Sequence, residues 1–97
     1  MKLYKDSSLT EEIEIINLGI CQAGDSKEYE FFIYNETEAE LVDLKFSIES
    51  SEVEILSYPN KLQSKEKGTL KLKYSPALTI KKGLKVPLKY SFGEIYS

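Results

Sequence analysis

The stretch Ile16–Leu41, INLGICQAGDSKEYEFFIYNETEAEL, decides how the chain reads. Within it Tyr29, Phe31 and Ile33 alternate with Glu28, Glu30, Phe32 and Tyr34. That is the two-residue period of a strand with one face turned inward. Ala23-Gly24-Asp25-Ser26 before it and Asn35-Glu36-Thr37 after it are turn-forming clusters.

The same period recurs outward from this stretch. Val42, Leu44, Phe46 and Ile48 alternate with Asp43, Lys45, Ser47 and Glu49. Leu70, Leu72 and Tyr74 alternate with Thr69, Lys71 and Lys73. Leu84, Val86, Leu88, Tyr90 and Phe92 alternate with Lys85, Pro87, Lys89 and Ser91. Shorter strands are expected at Ile13–Leu18 and Val53–Leu56, with a further one near Leu3–Lys5. Turn signals fall between the runs: Glu49-Ser50-Ser51, Tyr58-Pro59-Asn60-Lys61, Lys67-Gly68, Ser75-Pro76 and Lys82-Gly83. About seven short strands split by short turns predict an all-β fold, an immunoglobulin-like antiparallel β-sandwich. Phe31, Phe46, Leu72 and Leu88 are the expected core, and Pro87 belongs on an edge or at a bulge, since it has no N–H for a ladder.

Ninety-seven residues make one domain over residues 1–97, with residues 1–10 read as a flexible or docking N-terminal segment. Hydrophobic content of 41% and charged content of 30% lie in the globular range and argue against disorder. The opening MKLYKDSSLTEE turns acidic before any apolar run develops, unlike a signal peptide. No run approaches the ~18 apolar residues of a membrane helix. The one cysteine, Cys21, has no partner in the chain for a disulfide.

Charge is distributed unevenly. Residues 1–57 hold fourteen acids against four lysines, a net of −10. Residues 58–97 hold two acids against nine lysines, a net of +7, which leaves the overall −3. Alternation places Glu28, Glu30, Phe32 and Tyr34 on the outside of one sheet. If the last strands share a second sheet with the Val42–Ile48 run, Lys71, Lys73, Lys85 and Lys89 make its outer face basic. Phe32, Tyr34 and these four lysines are therefore the candidate partner-binding residues. Two outward aromatics on one strand mark an interaction surface.

Chemistry has little to work with. Histidine is absent, removing the commonest general base and metal ligand and any Ser-His-Asp or Cys-His arrangement. Cys21 reads as a small, partly buried hydrophobe. Glu36, Glu38 and Glu40, like Glu11, Glu12 and Glu14, lack the aspartates and glycine of a calcium loop and read as a solvated acidic face. Asn35-Glu36-Thr37 matches a glycosylation acceptor but reads as a polar turn. No arginine is present, which disfavours specific nucleic-acid readout and leaves a lysine-faced nucleic-acid binder as the weakest reading. No enzyme activity, cofactor or metal is expected.

Leu18-Gly19-Ile20, then Ala23-Gly24-Asp25, then Lys27–Asn35 resembles the start of the ASH and major-sperm-protein group of immunoglobulin-like domains. Gly68–Pro76, GTLKLKYSP, resembles the strand of that group that ends in proline. The resemblance runs from Glu12 to Phe92; it departs where Leu18 stands in place of the usual phenylalanine, and no recognisable peptide-binding set is present. It implies a non-catalytic binding or scaffold role. Immunoglobulin-like sandwiches also serve as decoration proteins on phage capsids, and the lysine, isoleucine and tyrosine richness without arginine suits an AT-rich genome. The leading expectation is thus a virion-associated structural protein that binds a major capsid protein or another virion component. The alternative is a cytoplasmic bacterial adaptor that binds a protein partner.

Overall fold

A computed structural model describes residues 1–76 and 84–96. It contains eight strands and, among the described residues, no helix: β1 Lys2–Tyr4, β2 Ile15–Gly19, β3 Lys27–Tyr34, β4 Glu40–Ser47, β5 Val53–Ser57, β6 Lys67–Tyr74, β7 Leu84–Pro87 and β8 Lys89–Ile95. The all-β antiparallel class expected from the alternation is the class observed. The Lys82-Gly83 turn signal lies outside the described residues.

Four strands form one sheet in the order β1-β3-β6-β5, and β2-β7 and β4-β8 form two antiparallel pairs. One proline divides the last long run. Pro87 ends β7, Leu88 alone separates it from β8, and the two halves take different neighbours, β2 and β4. The sequence reads this run as a single strand; the residue that interrupts the ladder is the one without an N–H.

Ile16, Leu18, Phe31, Ile33, Leu41, Leu44, Phe46, Leu62, Leu70, Leu72, Tyr74 and Val86 belong to one buried cluster, so all three sets of strands share a single core. Of the expected core residues, Phe31, Phe46 and Leu72 are buried and Leu88 packs half-buried against them. Tyr29 is also half-buried, because its hydroxyl leaves the core to donate to the Leu18 carbonyl.

The inward set of β4 departs from strict alternation. Leu41, not Val42, is buried with Leu44 and Phe46. The register against β8 shifts between Val42 and Lys45, and Asp43 at that point has φ 53°. An inserted residue in one strand of a pair is a β-bulge, which re-phases the side chains on either side. Period-2 counting cannot see it. A similar shift at Gly19, φ 66°, interrupts the β2–β7 ladder, and there the left-handed backbone is one that glycine adopts without strain.

The N-terminal residues are part of the sheet. Lys2, Leu3 and Tyr4 pair with Tyr34, Ile33 and Phe32, in place of the flexible or docking segment expected for residues 1–10. Leu3 packs on the core, which is the apolar contact that holds so short a strand. The following loop is closed by the Asp6 carboxylate, which accepts from the Thr10 N–H at 3.0 Å, the Thr10 hydroxyl at 2.5 Å and the Glu11 N–H at 2.8 Å.

Candidate docking surfaces

The register of the four-stranded sheet lays its outer face out in rows. Lys2, Tyr34 and Lys67 form one row, and Tyr4, Phe32 and Thr69 the next. Then come Glu30 with Lys71, and Glu28, Lys73 and Glu54. One end of the face is therefore aromatic with lysines at its rim, and the other is a ladder of alternating charge. Phe32 and Tyr34 turn away from the core as the alternation predicts, but they are half-buried. β3 is an interior strand, so β1 and β6 flank their rings; the Lys67 ammonium sits 5.9 Å from the centre of the Phe32 ring, within cation–π range.

The four candidate lysines do not share a face. Lys71 and Lys73 lie on β6, beside β3, so they stand opposite Glu30 and Glu28 rather than on a separate basic sheet. Lys71 Nζ is 3.7 Å from Glu30 Oε1. Lys85 faces Asn17 from β7, and Lys89, on β8 opposite Ser47, is bonded to Glu49. The expected dipole of one basic and one acidic sheet is thus incorrect, for a physical reason. The acidic half of the chain supplies β3 and β5, the lysine-rich half supplies β6 between them, and opposite charges meet directly across strands.

A second aromatic group was not foreseen. Tyr58, just after β5, meets Phe46 edge-on at 5.0 Å between ring centres. Phe46 in turn lies 6.3 Å from Tyr90, and Tyr90 stacks on Phe92 at 6.1 Å. These distances suit favourable ring pairs. Tyr58 is 39% exposed and Tyr90 49%, although alternation assigns Tyr90 to the inward face. Beside Leu88 and Tyr90 the structure parts in a cleft of about 220 Å³, also lined by Met1, Leu3, Ile13 and Ile33. The sequence signal for this opening is Pro87, three residues before Tyr90.

The polar residues serve the fold. Asn35, fully buried, extends its amide toward the carbonyls of Ala39, Leu62 and Gln63 at 2.7, 3.2 and 2.9 Å. Its Oδ1 accepts from the Thr37 N–H and hydroxyl at 3.0 and 2.6 Å. A glycan on this nitrogen would have to displace all three carbonyls. Burial pushes the Glu36 carboxyl up, but the Met1 ammonium at 2.9 Å and its own backbone N–H hold it below its ordinary value. Hydrogen bonds from the Thr10 hydroxyl and the Glu11 N–H hold Asp6 low. Glu38 reaches Lys65 at 3.5 Å. Among the described residues no three His, Cys, Asp or Glu side chains converge as a metal site. Cys21 is buried, its sulfur 3.7 Å from the Gln22 carbonyl.

Comparison with family models, with curated proteins and with solved structures finds no match for this chain.

Proposed function

We propose that this chain is a non-enzymatic structural or accessory protein. In this reading it is an immunoglobulin-like sandwich of the ASH and major-sperm-protein kind that docks on a larger protein lattice, the capsid of a phage. The strand order supports the architecture: β1-β3-β6-β5 with β4-β8 corresponds to A-B-E-D and C-F of such a sandwich. The observation that carries the docking role is the aromatic end of the outer face, where Tyr4, Phe32 and Tyr34 turn away from the core behind a rim of Lys2 and Lys67. Aromatic side chains with a charged rim are the usual composition of a protein interface. Lys71 and Lys73 leave the docking set because glutamates face them across the strands.

The test is a double variant, Phe32→Ser with Tyr34→Ser. Both rings are half-buried on the outside, so the melting point should fall by less than about 8 °C. Mass spectrometry of purified particles should find the wild-type chain and not the variant. Equal incorporation of the variant removes this face from the interface. Absence of the wild-type chain from particles, with capture of a cytoplasmic protein instead, replaces the virion reading with the adaptor one.

A further inference from the structure

The strand edges of this molecule are unequally protected. β1 is three residues long, and the chain folds back over it: Lys5 N–H donates to Glu11 O and Ile13 N–H to Leu3 O, both at 2.9 Å. The outer side of β4 is met by the segment around Leu62, where Leu41 and Leu62 exchange two backbone hydrogen bonds at 2.8 Å and Leu44 N–H reaches Asn60 O. β5 is bent by a register shift between Ile55 and Ser57 and carries Glu54. β2 is bulged at Gly19. Short strands, bulges, charges and covering loops are the devices by which proteins blunt an edge.

β8 is less protected on the side away from β4: its charges, Lys89 and Glu94, stand toward its ends, and among the described residues no loop hydrogen-bonds to its backbone. It is seven residues long, and among the described residues it pairs with β4 alone. Its register irregularity is an extra residue in β4, not in β8. Its centre, Tyr90 to Gly93, carries no charge, and it displays the half-exposed Tyr90 stacked on Phe92. Ile95 and Tyr96, just beyond, are exposed as well.

We propose that the free edge of β8 pairs antiparallel with β8 of a second copy of this chain. The strand is complementary to itself. A two-fold axis through Ser91 sets Tyr90 opposite Phe92 of the second copy, twice, on the face that already holds the stacked rings. Aromatic pairs directly opposed across antiparallel strands are favourable. The same register sets Lys89 opposite Gly93, which has no side chain to obstruct the lysine, and places no like charges in opposition. The result is an isologous contact that closes on itself and makes one continuous sheet β4-β8-β8-β4. This contact is separate from the outer-face docking surface and stands or falls without it.

Sedimentation equilibrium of the whole chain tests the pairing. Wild-type protein should move from monomer to dimer mass as concentration rises, and Tyr90→Lys should stay monomeric at the same concentrations. As a second measure, Ser91→Cys places two exposed thiols at the axis, within disulfide reach across opposed strand positions. Under air oxidation it should form a covalent dimer faster than Ser57→Cys, which puts the thiol on the bulged β5 edge. A wild-type chain that is monomeric up to ~1 mM overturns the proposal. So does a Tyr90→Lys dimer as tight as wild type, or a Ser91→Cys rate no greater than that of Ser57→Cys.

Discussion

Asn35 is the residue on which the β3–β4 connection depends. Five hydrogen-bonding groups converge on one buried amide, although each of the three carbonyls has a second donor, the Thr37 hydroxyl for Ala39, the Leu41 N–H for Leu62 and the Glu66 N–H for Gln63. Asn35→Ala removes all five hydrogen bonds at a fully buried position, and a typical intramolecular hydrogen bond contributes about 0.5–1.5 kcal/mol net. Urea unfolding should show a loss of about 3 kcal/mol; a loss below about 1 kcal/mol would mean that water takes the amide's place. Asp6 makes a prediction about acid. Its folded pKa lies below the ordinary 3.8, so its contribution to stability is complete above that pH and fades as pH falls through the folded value. An NMR titration of its carboxyl carbon should give a midpoint under 3.8, rising toward it in Thr10→Ala, since the Thr10 hydroxyl is the strongest of the groups that hold it down. Cys21, buried beside the Gln22 carbonyl, should react with iodoacetamide only as fast as the protein opens; rapid labelling of folded protein at neutral pH would contradict its placement.

At the scale of the strand, the bulge in β4 and the pairing of β3 with β6 carry the energetics. Asp43 holds φ 53°, a left-handed backbone that costs a β-branched residue about 1–2 kcal/mol more than glycine. Asp43→Val should be destabilising by about that much and Asp43→Gly close to neutral, measured by thermal melts. Phe46, buried among Leu44, Tyr58 and Tyr90, should cost about 3–5 kcal/mol on truncation to alanine. Strand positions were legible because alternation is a local property: Glu28 to Tyr34 and Thr69 to Tyr74 announce themselves residue by residue. The inward phase of β4 was not, because one inserted residue changes it without altering composition. Which strands neighbour one another was not legible either. The sequence contains the charges of Glu28, Glu30, Lys71 and Lys73, but that they form one ladder is a fact about residues some forty positions apart. For the same reason the outward direction of Phe32 and Tyr34 was legible, and the neighbour Tyr4 beside Phe32 was not.

Over the whole molecule, the −10 and +7 halves interleave instead of forming two poles. Lys2, Lys65, Lys71 and Lys89 each lie within 4.0 Å of a carboxylate and the net charge is −3, so binding to a DNA duplex should be weak and should vanish at moderate salt. Stability should depend on salt only slightly, since exposed pairs such as Lys71–Glu30 are worth about 0–1 kcal/mol each. The break at Pro87 has a consequence for how the chain is made. Among the described residues β2 is paired only with β7, and β4 along its length only with β8, so two of the three sheets wait for residues 84–95 to be synthesised. During translation Ile16, Leu18 and Phe46 therefore remain without their strand neighbours until residues 84–95 have left the ribosome. Domains that close by such distant pairings acquire structure late and expose apolar strands meanwhile. A nascent chain stalled after Tyr74 should be open to protease and held by chaperones, and extension through Ile95 should bring protection to the whole molecule in one step.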